Sequence, residues 1–215
     1  MLVVIVDTAK AVAATTSRTS AAMSYLPCDV TKKSALVRCR GKILKTHGRV
    51  DVLLNGAGTN APTPFLDVTG KEFQQIIGAN LLATLYGCQV FGEVMLKQRA
   101  GSIINFASVS SGPPLSKAFV YSTAKAGVAN LTQNLGREWA PCGVRVNALK
   151  PGFFPTVWSM KQFIDAKRKR QILSHTPMGR FGRPEELIGA VLWLASDSAS
   201  FVTGSSSRWM VDLRR

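Results

Sequence analysis

Residues 108–125 read S-V-S-S-G-P-P-L-S-K-A-F-V-Y-S-T-A-K, and the rest of the chain is organised around them. The stretch holds Ser108, then Tyr121, then Lys125 four residues on. Side chains four apart on a helix share a face, so Tyr121 and Lys125 can point into one site. An ammonium beside a phenol favours the phenolate, which predicts a Tyr121 pKa below the usual ~10. A tyrosine tuned in that way can pass a proton near neutral pH. Ser108 could hold the oxygen that the proton serves, a set suited to interconverting a carbonyl and an alcohol. A Tyr and a Lys at this spacing are, taken alone, as well explained by a packing contact and a solvated charge. The flanks change that reading. Residues 101–108 form a short apolar strand ending in small polar residues, and residues 122–140 form an amphipathic helix.

Working outward, strands and helices alternate. Residues 2–6 are a β-branched run closed by Asp7, and residues 25–31 give a short strand and a loop around Asp29 and Val30. Residues 34–46 are helical and end near Gly48. Residues 50–54 are a strand that runs into Asn55-Gly-Ala57-Gly58. Residues 71–98 form one long helical stretch that contains Asn80. Residues 144–148 are a strand leading to Pro151-Gly152, residues 184–196 a helix with Pro184 in its first turn, and a last strand follows Phe201. This alternation predicts an α/β fold, a doubly wound parallel sheet of Rossmann-like type, as a single domain over residues 1–215. In such sheets ligands lie beyond the carboxyl ends of strands. Asp7, Asp29, Asn55 to Gly58, Ser108 and Pro151-Gly152 all fall at such ends.

Composition narrows the alternatives. The chain is 46% hydrophobic and 18% charged, ordinary for a soluble globular protein, and no stretch approaches the ~18 apolar residues of a membrane span. Four cysteines without a C-x-x-C pair point to reduced thiols, a cytoplasmic setting and no metal site. The net charge of +15 admits an acidic partner or an anionic substrate. Its densest run, residues 167–170, reads as a solvated helix face, and no nucleic-acid or membrane motif accompanies it.

The serine, tyrosine and lysine at this spacing resemble the short-chain dehydrogenase/reductase family, and the resemblance extends from about residue 3 to residue 211. It implies an NAD(P)-dependent alcohol or carbonyl oxidoreductase, with Asn80, Ser108, Tyr121 and Lys125 as the catalytic set. Asn55, Ala57 and Gly58 match the family element N-[NG]-A-G that lines the cofactor. Asp29 and Val30 match its Asp-Val pair beside the adenine. Pro151, Gly152 and Thr156 match P-G-x-x-x-T, which faces the nicotinamide carboxamide; Tyr121 and Lys125 would also touch the cofactor. Asp7, at a strand end, could bind the adenosine ribose, which favours NAD over NADP, although Asp is also a common helix cap. Residues from about 153 to 180 would be the substrate lid. Two loops, residues 60–65 and 176–181, resemble mannonate or fructuronate oxidoreductases, which implies a sugar-acid substrate. Family members associate through their long helices, so a homodimer or homotetramer is expected.

The family's glycine-rich T-G-x-x-x-G-[IL]-G run has no match, since the glycine next after Asp7 is Gly41. By spacing, Asp7 and Asp29 fit the family's second and third strands. The first strand, glycine loop and first helix are therefore expected to be absent, leaving two strand edges open inside the sheet. A truncated, non-catalytic relative or a gene-model fragment is the alternative reading.

Overall fold

The computed structural model of the chain describes residues 3–7, 23–112, 118–155, 160 and 164–209. Its β-branched and leucine runs form the strands β1 (Val3–Asp7), β2 (Met23–Pro27), β3 (Val52–Asn55), β4 (Gly101–Phe106), β5 (Val144–Pro151) and β6 (Ser206–Trp209). Every pairing is parallel, as the alternation with helices predicts. The helices are α1 (Lys33–His47), α2 (Gly70–Ile77), α3 (Ala83–Gln98), α4 (Phe119–Trp139), α5 (Ala166–Ser174) and α6 (Ile188–Ala195).

The central strands are buried on both faces, as parallel strands require. Neighbouring residues of β4 diverge. Ile103 packs with Met95 of α3, Leu135 and Trp139 of α4, and Val144 and Val146 of β5. Ile104 packs with Ala190 and Leu194 of α6 and with Leu149. Helices thus cover both faces of β4 and β5. Gly136 lets α4 approach closely, because a Cβ there would collide with the backbone of Gly204.

Three details define the fold further: the first falls where the sequence reading expected open strand edges, and the other two depart from it. The strands fall into two sheets, β1-β2 and β3-β4-β5-β6, with no ladder between them among the described residues. One apolar cluster bridges them: Leu36 and Cys39 of α1 and Val90 and Phe91 of α3 pack against Val4 and Val6 of β1, Leu26 of β2 and Leu53 of β3. The long helix of residues 71–98 is also interrupted. Thr69 caps α2 by accepting from Glu72 N–H (3.1 Å), and a π turn, Gly78–Leu82, precedes α3. Finally, residues 184–187 form a 3-10 turn before α6, and the last strand starts at Ser206 instead of near Phe201.

A buried polar chain joins the layers. Asn55 Nδ2 donates to Asn105 Oδ1 (2.9 Å), Asn105 Nδ2 donates to Thr132 Oγ1 (2.9 Å), and that hydroxyl donates to Val128 O (2.8 Å). Each amide is satisfied by the next, and Asn105 and Thr132 have no exposed surface. Asn105→Ala leaves Asn55 Nδ2 only the weak Cys88 Sγ acceptor and removes the donor to Thr132 Oγ1, which keeps Val128 O. The expected cost is about 2–4 kcal/mol, read as a lower urea midpoint at unchanged m-value.

Candidate active site

β4 ends at Phe106, and the chain passes through Ala107 to Ser108, which opens the 3-10 turn Val109–Ser111. Ala107 N–H donates to Leu149 O (2.9 Å), which extends the β4–β5 pairing to the residue before Ser108. α4 begins at Phe119 and carries Tyr121 and Lys125 on successive turns. Ser108 neighbours the Tyr121 phenol and favours its ionised form. Lys125 Nζ lies 5.6 Å from the Tyr121 ring centroid. The three sequence-selected groups therefore converge at the carboxyl end of β4.

Lys125 is 4% exposed, and its Nζ donates to Phe106 O (2.7 Å). Burial pushes its pKa down to about 8. Tyr121 moves the other way: burial raises its pKa, and Ser108 only partly offsets this. The expectation that Lys125 lowers the phenol is not met. Its amine lies against the ring and is held by a backbone carbonyl, so desolvation dominates.

Asn80, in the π turn, has no exposed surface. Its Nδ2 donates to Thr59 O (2.7 Å) and to Ile76 O (2.8 Å), tying the loop after β3 to the helix. Its Oδ1 makes no hydrogen bond among the described residues. A Cβ on Gly58 would sit 2.5 Å from that oxygen and 3.6 Å from Lys125 Nζ, so this close approach requires glycine. π turns inside helices occur often at functional sites, and this one carries Asn80.

The remaining selected residues divide. Asn55 points inward, against Cys88 Sγ (3.5 Å) and Asn105, so its side chain belongs to the framework. Gly56, Ala57 and Gly58 lie exposed beyond β3 and form a shelf of small residues. Pro151 ends β5, with Gly152 half-buried beside it. Asp7 ends β1 and is exposed. Asp29 accepts from Thr31 N–H (3.0 Å) and Thr31 Oγ1 (2.6 Å), which hold its carboxyl below the usual range. Val30 packs against the α1–α3 cluster. Thr156 lies outside the described residues. Of the lid segment, α5 is described; Asp165 caps it by accepting from Arg168 N–H (2.7 Å), and Lys167, Lys169 and Arg170 are exposed on it.

Sequence reasoning passed over Phe106, whose carbonyl places Lys125, because backbone acceptors carry no residue signature. It also passed over Ser110 and Ser111, which bind Ser108. The run Ser108-Val-Ser-Ser111 was the available signal, since serines fold back on neighbouring backbone in such turns.

The residues fit one end of a nicotinamide dinucleotide. Shelf, phenol and amine share a strand end, and an unpartnered amide oxygen lies beside the amine. Among the described residues no glycine-rich turn opens a helix at a strand end, so the pyrophosphate has no such cradle there.

A parallel α/β sheet with these groups at a strand tip defines an oxidoreductase of Rossmann-like type. A family model described as enoyl-(acyl carrier protein) reductase matches residues 1–212. The chain is 38% identical over 197 residues to the uncharacterised oxidoreductase UxuB of Bacillus subtilis, covering 82% of this chain and 71% of that protein. It is 35% identical over 176 residues to the 3-oxoacyl-(acyl-carrier-protein) reductase FabG of Thermotoga maritima, with coverages of 82% and 71%. A solved gluconate 5-dehydrogenase from Burkholderia cenocepacia J2315, in complex with NADP and tartrate, superposes with a TM-score of 0.90 at 28% identity, covering 96% of this chain and 83% of that one. The chain belongs to the short-chain dehydrogenase/reductase family, whose members use NAD(P). The preference for NAD that rested on Asp7 is corrected: with NADP bound in a solved relative, NADP stands level with NAD.

Burial of Lys125 carries a pH signature. Its folded pKa lies below the unfolded value near 10.5, so the unfolded chain binds more protons between about pH 8 and 10.5. Stability contributed by this group therefore rises with pH through that window. Relative to Lys125→Met, the wild-type protein is expected to gain about 2 kcal/mol between pH 7 and 10, measured by urea unfolding.

Proposed function

We propose that the chain is an NAD(P)-dependent oxidoreductase acting on a carbonyl or alcohol of a small anionic substrate, a sugar acid such as mannonate, fructuronate or gluconate. The observation that carries this reading is Lys125 buried beside the Tyr121 ring, with Ser108 neighbouring the phenol at the end of β4. The net charge of +15 and the gluconate 5-dehydrogenase relatives support an anionic substrate.

In the reducing direction Tyr121 donates its phenolic proton to the carbonyl oxygen while Ser108 donates a hydrogen bond to the same oxygen. The phenolate left behind shares the single Ser108 hydrogen with the new alcohol oxygen, and the Lys125 amine lies 5.6 Å from its ring centroid. A bound nicotinamide supplies or takes the hydride at its C4. Lys125 would hold the nicotinamide ribose, Asn80 would support proton passage behind the amine, and Ala57, Gly58, Pro151, Gly152 and Thr156 would line the cofactor. Asp7, Asp29 and Val30 would meet its adenosine end. Residues 1–215 act as one unit, with residues from about 153 to 180 over the substrate. The break between β1-β2 and the larger sheet supports the reading that the family's first strand has no counterpart among the described residues. Exposed Phe65, Phe73, Leu82 and Phe119 support self-association through the long helices, and the free cysteines support a cytoplasmic setting.

The test measures NADP(H)- and NAD(H)-linked turnover of D-gluconate, D-mannonate and D-fructuronate. Tyr121→Phe is expected to lower kcat by about 10³-fold while cofactor affinity stays within about twofold. An unchanged fluorescence of NAD(P)H titrated to millimolar levels is the outcome of a non-catalytic relative and would sink the assignment.

A further inference from the structure

Ser110 lies in the turn after Ser108 and is 3% exposed. Its backbone N–H donates to Ser108 Oγ (3.2 Å), and its hydroxyl donates to the same oxygen (3.0 Å). A serine hydroxyl has two acceptor sites and one hydrogen. Ser110 occupies both acceptor sites of Ser108. That leaves the Ser108 hydrogen for a third partner, and Ser108 favours the ionised form of the neighbouring Tyr121 phenol. Ser111 fixes the backbone at the same point. Its Oγ accepts from Ser108 N–H (3.2 Å), and its N–H donates to Ser108 O (3.0 Å). The Ser108 hydroxyl is 7% exposed at residue level and cannot readily exchange these partners for bulk water.

From this geometry we propose that Ser110 is a positioning residue that makes Ser108 an obligate hydrogen-bond donor toward Tyr121 and the substrate oxygen. It rests on the reading of Tyr121 as the proton donor. Without the Ser110 hydroxyl, Ser108 can turn its hydrogen away from the reacting oxygen, and the alkoxide loses a preset donor. Donors fixed before the reaction need no reorientation as charge develops.

Two readouts separate this role from a structural one. In NADPH-linked reduction of D-fructuronate, Ser110→Ala is expected to lower kcat about tenfold and to move the alkaline limb of the kcat–pH profile upward, because Tyr121 loses the preset Ser108 hydrogen that favours its phenolate. Ser110→Thr, which keeps the hydroxyl, is expected to recover most of the rate. In a Ser108→Ala background, adding Ser110→Ala is expected to cost less than about twofold, since Ser110 acts through Ser108. Ser110→Cys keeps the shape with a weak donor and gives the same reading where alanine lowers the yield of folded protein.

The second readout needs no turnover. The chain has three tyrosines, so subtracting the ultraviolet titration of Tyr121→Phe from that of the wild type isolates the Tyr121 phenol. Ser110→Ala is expected to shift that titration to higher pH. A silent wild-type enzyme would overturn the oxidoreductase reading and leave this titration standing. A Tyr121 titration unmoved by Ser110→Ala, or a tenfold loss that persists in the Ser108→Ala background, would overturn the role of Ser110.

Discussion

The candidate site depends on a buried chain of amides. Asn55 ends β3, Asn105 sits near the end of β4, and Thr132 lies two helical turns beyond Lys125 in α4. Linked in series, they set the distance and register between the strand that delivers Ser108 and the helix that carries Tyr121 and Lys125. An apolar contact would allow α4 to slide or rotate. A hydrogen bond between buried amides does not, because the shifted state leaves two polar groups unsatisfied in low dielectric. Gly87 and Gly136 permit this fit. A Cβ on the first would collide with Asn55 Oδ1, and one on the second with the backbone of Gly204.

Given that frame, the electrostatics follow from burial. Sinking an amine and a phenol side by side disfavours the charged form of each, and the two pKa values move apart, the amine down and the phenol up. A neutral pair costs less to bury than an ammonium and a phenolate that are imperfectly solvated. Phe106 O keeps the amine within reach at little cost, since a carbonyl accepts from either protonation state.

The strand ends, the two-sided burial of β4 and β5, and the grouping of Ser108, Tyr121 and Lys125 were legible in the sequence. Each is a periodicity or spacing that one dimension preserves. What was not legible depends on backbone. The π turn at Gly78–Leu82 changes no residue pattern, yet it decides where Asn80 points. Lys125 reads as a neighbour of Tyr121, and only the Phe106 carbonyl reveals why it fails to lower the phenol. The expected ligand Asp29 also accepts from Thr31 in the turn before α1, a contact its residue type did not announce. Short polar side chains serve turns and ligands with the same atoms, so residue type alone does not separate the two uses.

The division into two sheets has its own physical logic. Among the described residues β1 and β3 each pair on one side only, and on β3 the side chains of Val52 and Leu54 are 38% and 46% exposed, where a buried parallel strand would hide them. What holds β1-β2 in place is therefore side-chain packing onto α1 and α3 instead of a ladder. Packing is less directional than hydrogen bonding, so β1-β2 has fewer constraints on its register to the larger sheet than β4 has to β5. The sites divide along the same line. Ser108, Tyr121, Lys125 and Asn80 stand on the four-stranded sheet and its helices, whereas Asp7 and Asp29 stand on the two-stranded one. The proposed proton transfer would thus be built on the part of the fold whose register is fixed by hydrogen bonds, and the adenosine end of any bound dinucleotide would rest on the part held by apolar contact.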